Sequence, residues 1–204
     1  MEFQIMPRQA GTKEVTKTSL LEAGTKIMLE KGYNHTGIQE VLETTGVPKG
    51  SFYYYFDSKE DFGVQIIEYF DKNYSEHLRQ YLENKKMTPT ERLRAYCEEG
   101  RQSLESNQCR KGCLVGNLSQ EMSDQSEVLR GRLEEVLTKW RNRFAQCIKE
   151  GQDRGEINKS IDYVQMAEFF QGGWHGAILR AKTTKTTAPL QAFITIMFDH
   201  LLAP

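Results

Sequence analysis

A chain of 204 residues, 27% charged and 38% hydrophobic, is long enough to bury a substantial core and too rich in apolar residues for a disordered polymer. It has no apolar run near ~18 residues, which argues against a membrane-spanning helix, and the stretch Met1–Val15 lacks the apolar centre of an export signal, so a cytoplasmic protein is expected. A net charge of −1 excludes a uniformly basic coat, though not a local basic surface for nucleic acid.

In chain order, the residues before about Thr12 read as a polar arm; Arg8 and Lys13 can reach a polyanion, though a solvated tail is the plainer reading. A first helix is predicted over 13–31, with Leu20, Leu21, Ala23, Gly24, Ile27 and Met28 on its apolar side and Gly32 as its terminator. Thr36 is predicted to cap a second helix, with Gln39 completing a capping box, while Ile38, Val41 and Leu42 supply one buried face. Gly46 tolerates the positive φ that a tight turn needs, and Pro48 suits the start of the next helix.

Lys49, Gly50 and Ser51 then leave an open helix N-terminus that a phosphate or base edge can approach. Phe52 and Phe56, four apart, turn inward; Lys49, Ser51, Tyr53 and Tyr54 remain for the outer surface, with Tyr55 better suited to packing between helices. A helix, a tight turn and a short second helix of this composition is the build of a helix-turn-helix that enters the DNA major groove. Lys49 can reach guanine O6 and N7 or a phosphate, and Ser51 is a short donor beside it.

Ser58 caps a fourth helix that is predicted to run to Leu82. A polar break at 84–88 precedes a helix opened by Pro89 and reaching Ser106; residues 107–112 form a loop. Helical pattern returns near Leu114, again over 126–153 with Gly155 as its stop, and over 161–182 and 189–202. There is no internal repeat and no sustained strand pattern. The expected architecture is all-α: a helix-turn-helix DNA-binding domain over 1–62 and a helical regulatory and dimerisation domain over 63–204.

Of four cysteines, Cys97 and Cys147 sit inside helical patterns as small buried hydrophobes. Cys109 and Cys113 flank Arg110, Lys111 and Gly112 at a loop leading into a helix, where cations and a helix N-terminus lower a thiol pKa. Thiolate is the form that attacks electrophiles and is oxidised. Cys109, Cys113 and His175 can also be drawn as a metal set, but C-x3-C lacks the paired CxxC units of a strong zinc signal, and neither metal nor cofactor is expected. A noncovalent apolar ligand among Trp140, Phe144, Phe169 and Trp174 is the alternative input; those rings also read as plain core.

Residues 169–178 mix bulky rings with glycines, as close approach of another helix or of a ligand requires, and Leu190, Phe193, Ile194, Ile196, Met197, Phe198 and Leu201 add a second apolar face. A four-helix interface between two copies would bury both, and a two-fold homodimer would match a palindromic DNA site. No phosphate-cradling glycine loop and no nucleophile elbow occurs, so an enzyme is not expected.

The segment GVPKGSFYYYFDSKEDF resembles the signature of the TetR family of bacterial repressors, and TSLLEAGTKIMLEKGYNHTGIQEVLETTG is similar to that family's first two helices. Within the second half, KGCLVGNLSQEMSDQSEVLRGRL resembles the electrophile- and oxidant-responsive subgroup, of the N-ethylmaleimide-responsive type, and acrylate-responsive relatives. The resemblance implies a repressor of double-stranded operator DNA, released by a small electrophile or oxidant. It implies that Tyr53 and Tyr54 contact backbone and bases and that Lys59 grips phosphate; Thr36, from its place at the start of the second helix, can also donate to phosphate. Cys113 matches the subgroup's reactive cysteine, and Lys182 falls where the subgroup carries a lysine; Cys109, four residues before Cys113, is a candidate resolving thiol on its position alone.

Overall fold

The computed structural model describes residues 10–204 of the chain; the expectation for Arg8 lies outside the described residues. Among the described residues the regular structure is entirely helical. Helix α1 (Ala10–Lys31) stops at Gly32, whose φ of 81° is left-handed. Helix α2 (Ile38–Thr45) ends at Gly46 (φ 67°), and a 3₁₀ turn (Lys49–Ser51) runs into the single turn of α3 (Phe52–Tyr55). Leu20, Met28, Val41, Phe52, Phe56 and Phe62 close these helices around one apolar centre.

The predicted cap of α2 is not formed. Gly37 holds the N-cap position without a side-chain bond, while Thr36 is buried and its hydroxyl donates to the Gly32 carbonyl at 2.6 Å. A hydroxyl with a backbone carbonyl four residues behind it satisfies that group locally instead of reaching forward. Gln39 bonds to Glu43 rather than back to the cap.

Helix α4 (Lys59–Leu82), capped by Ser58, extends from this cluster to the rest of the molecule. Helix α5 (Pro89–Ser106) starts at a capping box made by Thr88 and Glu91. Arg92, almost fully buried, binds the carbonyls of Asn84 and Met87 and the carboxylate of Glu150 at 2.8 Å, fixing the α4–α5 turn against α7 (Glu127–Asp153). The short α6 (Leu114–Met122) precedes α7; α8 (Tyr163–Thr184) and α9 (Ala188–Ile196) follow, the latter prolonged by a π-helical turn (Met197–Leu201).

Trp140 donates to Asp71 across the α4–α7 contact at 2.7 Å. Burial works against the charge of Asp71, but hydrogen bonds from Lys139, Ser75 and Trp140 outweigh it and hold the carboxyl below its ordinary range. Trp140 is therefore a core residue with its polar edge satisfied, not a pocket wall.

Candidate functional site

The short α3 presents a polar-aromatic surface. Tyr53 is 70% exposed and Tyr54 59%, whereas Tyr55 is 8% exposed and packs inward. Alternation arises because Phe52 and Phe56, one turn apart, claim the inner face. Lys49 and Gly50 are exposed ahead of them and Ser51 is half-buried. Lys13 of α1 lies over the Tyr54 ring at 4.2 Å, and Lys17 stands 5.7 Å from the Phe56 ring. Lys59, at the first position of α4, donates to the Asn34 carbonyl at 3.3 Å beside the Tyr33 ring. Sequence reasoning had passed over Lys17, whose place beside α3 depends on how α1 crosses it. Thr36, buried beneath α2, does not belong to this surface.

Cys113 is the N-cap residue of α6. It borders two cavities, one of about 370 Å³ and one of about 200 Å³. Burial pushes its thiol pKa up; the backbone N–H groups of Gly116 and Val115 and then the Lys182 ammonium act the other way without reversing the outcome. The expected low-pKa thiol is thus corrected. Lys111 turns away to Glu30 (3.4 Å), and Cys113 itself is half-buried. Cys109 is buried at left-handed φ (52°) and lines neither cavity; Cys97 and Cys147 are buried as expected.

Lys182 is positioned by Asn117, whose side chain accepts from Lys182 Nζ at 3.0 Å and donates to the Lys111 carbonyl at 2.9 Å. Its stem also lies against Gly112 (φ 76°). Asn117 therefore ties α8 to a loop in which Gln108, Cys109 and Lys111 all adopt positive φ. His175 shares the smaller cavity with Cys113 and Lys182, and burial lowers its pKa. Among the described residues no three His, Cys, Asp or Glu side chains gather to hold a metal ion.

The larger of these cavities runs from Cys113 between α4, α5 and α8 to Tyr74, His77, Tyr96, Glu99 and Trp174. The Tyr74 and Tyr96 hydroxyls are 2.5 Å apart, and His77 lies 3.1 Å from Glu99. Gly100 leaves room for Trp174, since a Cβ there would stand 2.7 Å from the indole. Of the four aromatics expected to form a pocket, only Trp174 lines it. Phe144 is core, and Phe169 is 60% exposed on the far side of α8. The phenols were missed because Tyr74 and Tyr96 come together only when α4 and α5 pack. A more open groove of about 1210 Å³ along α7 is lined by charged groups and shares no residue with the Cys113 cavities.

At the other end of α6, the Glu121 carboxylate accepts the backbone N–H groups of Tyr33 and Asn34, each at 2.8 Å. Those residues form the α1–α2 turn. Asn34 also donates to Gln125 (3.3 Å), and Ser126 donates to Glu60 (2.6 Å).

On α8, Phe169, Gly172, Gly176 and Leu179 share one open stripe; a Cβ at either glycine would meet nothing within 4 Å. Ile196 of α9 is exposed as well. Several residues expected on this outer face are instead internal: Phe170, Trp174, Ala177, Leu190, Ile194, Met197 and Phe198 are buried within the chain, and Gly173 packs on Phe193.

An exposed tyrosine pair on a short helix after a glycine turn, flanked by lysines from two neighbouring helices, defines a helix-turn-helix DNA-binding regulator. Residues 20–63 match the bacterial regulatory proteins of the tetR family, and residues 89–197 match the tetracyclin repressor-like C-terminal domain. The transcriptional regulator AcuR of Cereibacter sphaeroides is 39% identical over 96% of this chain and 90% of its own length. The transcriptional repressor NemR of Escherichia coli is 31% identical over 95% of this chain and 97% of its own. The crystal structure of a regulatory protein TetR from Rhodobacter sphaeroides superposes with a TM-score of 0.86 at 39% identity, covering 92% of this chain and 100% of that one. The chain belongs to the TetR family: it is a TetR-type DNA-binding transcriptional repressor, not an enzyme. Among the described residues no helix is long and apolar enough to cross a membrane.

Proposed function

We propose that this repressor leaves its operator when Cys113 is modified by a small electrophile or oxidant. Residues 1–62 act as the DNA-reading head and 63–204 as the regulatory and dimerising core. Lys49, Ser51, Tyr53 and Tyr54 contact the groove, Gly50 permits close approach, and Lys59 with Lys13 and Lys17 meets the phosphates. A homodimer formed through the open stripe of α8 and Ile196 sets two heads on a palindromic site.

The observation that carries the switch is the span of α6. Cys113 is at one end, and Glu121 at the other holds the turn between α1 and α2. Nine residues at 1.5 Å each cover about 13 Å. An adduct at Cys113 displaces the start of α6, and the Glu121 contact carries that displacement to the head. Lys182 favours the reactive thiolate. Cys109, enclosed by its loop, takes part only after oxidation of Cys113, as the thiol that resolves it. The reduced form of Escherichia coli NemR, 30% identical with a TM-score of 0.84, supports a thiol-based reading by likeness.

The test is a gel shift on the DNA upstream of the protein's own gene, with and without N-ethylmaleimide. Cys113→Ser should bind as wild type and resist release. Lys49→Ala should weaken binding by roughly 1–3 kcal/mol. Full release of the Cys113→Ser protein would instead favour a noncovalent ligand in the cavity lined by Phe70, Tyr74, Tyr96 and Trp174, the second reading that this lining supports.

A further inference from the structure

Resting on the thiol reading, we infer that the Tyr74–Tyr96 hydroxyl pair is a cradle for the carbonyl oxygen of an α,β-unsaturated carbonyl compound, an enone or quinone, whose β-carbon is presented to Cys113 Sγ.

Three observations lead there. Cys113, Tyr74 and Tyr96 line one cavity of about 370 Å³, large enough for a ring-sized organic molecule and far larger than a peroxide or hypochlorite requires. Leu29, Phe70, Leu104, Trp174 and Ile178 give its wall an apolar side for a carbon skeleton, while Ser103, Asn107, Arg110 and Lys111 give it a polar one. His77 and Glu99 face each other at 3.1 Å and Lys111 is engaged by Glu30, so neither pair is directed at a ligand's carbonyl oxygen.

The hydroxyl pair itself is the third. Two phenols carry two protons, and the 2.5 Å contact between them uses one. The second has no acceptor among the described residues, although Tyr96 is only 3% exposed. A buried donor left over in a cavity wall is matched by a ligand acceptor. Burial also raises both phenol pKa values, so the pair stays protonated and able to donate.

The chemistry balances without an added oxidant or reductant. A bond forms between Cys113 Sγ and the β-carbon. The carbon–carbon π pair shifts to leave an enolate whose oxygen the phenols stabilise, and the thiol proton ends on the α-carbon. Donors aimed at a developing oxyanion accelerate such a step. They do nothing for alkylation by iodoacetamide at a saturated carbon, which displaces iodide and develops no enolate.

The experiment follows Cys113 adduct formation by intact-protein mass spectrometry, on the full-length protein, with 2-cyclohexen-1-one and, separately, iodoacetamide. The Tyr74→Phe/Tyr96→Phe double variant should lose roughly tenfold or more in enone rate while its iodoacetamide rate stays within about twofold. Each single variant keeps one hydroxyl and should fall between, which preserves the ranking should the double variant fail to fold. Equal enone rates in wild type and variants, or enone and iodoacetamide rates falling together, would overturn the cradle. Absence of any adduct at Cys113 with either reagent in the wild type would overturn the thiol reading itself, a distinct result.

Discussion

The Cys113 thiol sits under opposed influences, and burial prevails over the neighbouring N–H groups and Lys182. A raised pKa keeps the thiol protonated at neutral pH, so its reactive fraction grows as pH rises. Iodoacetamide labelling of Cys113 should therefore climb roughly tenfold per pH unit from pH 7 and level off only above the ordinary thiol range of about 8.5. Lys182→Met removes a cation that favours thiolate and should slow labelling at any pH below that plateau. A rate already flat at pH 7 would contradict the burial argument. The sequence window around Cys113 shows Arg110 and Lys111 but not the pairing of Lys111 with Glu30 or the walls of α5 and α8. For that reason the sign of the shift was not legible. The tyrosines of α3 were legible because a four-residue phase between Phe52 and Phe56 is local information. Thr36 misled because its hydroxyl had a nearer acceptor behind it.

At the scale of elements, helix limits came through wherever a cap and a period agreed. Helices α4 and α5 run between the predicted residues because Ser58 and Pro89 mark their starts in the chain itself. The paired phenols and the Glu121 contact were invisible, since each joins residues distant in sequence: Tyr74 with Tyr96, and Glu121 with a turn 87 and 88 residues earlier. That contact has a measurable consequence. Glu121→Gln keeps the shape, but its amide has one acceptor oxygen where the carboxylate has two, so one of the two N–H groups is left facing a donor, a loss of roughly 1.5–3 kcal/mol. Hydrogen exchange at the Tyr33 and Asn34 amides should quicken roughly tenfold or more. The same variant should need more electrophile adduct, or fail altogether, to release DNA, because the joint that conveys the strain is loosened. Unchanged protection at both amides would remove Glu121 from the route.

For the whole molecule, a net charge of −1 offers DNA no overall attraction, so the proposed contacts depend on a few lysines around α3. Binding should consequently fall steeply with added salt. It should also depend on pairing of two chains. Leu179→Glu places a carboxylate in the apolar stripe of α8, so light scattering at micromolar concentration should report monomer and operator affinity should drop with it. A variant that remains dimeric would move the interface elsewhere. The all-helical plan was readable because periodicity alone reveals it. Which of two adjacent phenylalanines looks outward was not, and α8 exposes Phe169 while burying Phe170. One joint in this assembly leaves unusually little freedom for change. Gly32 has a left-handed φ, and any Cβ there would stand 2.5 Å from a Glu121 oxygen. An alanine there would have to hold that left-handed φ and push the carboxylate off its two N–H partners. On the proposed switch, retuning how readily this repressor lets go, whether by natural drift or in the laboratory, is therefore easier from the carboxylate's half of the joint than from the glycine's.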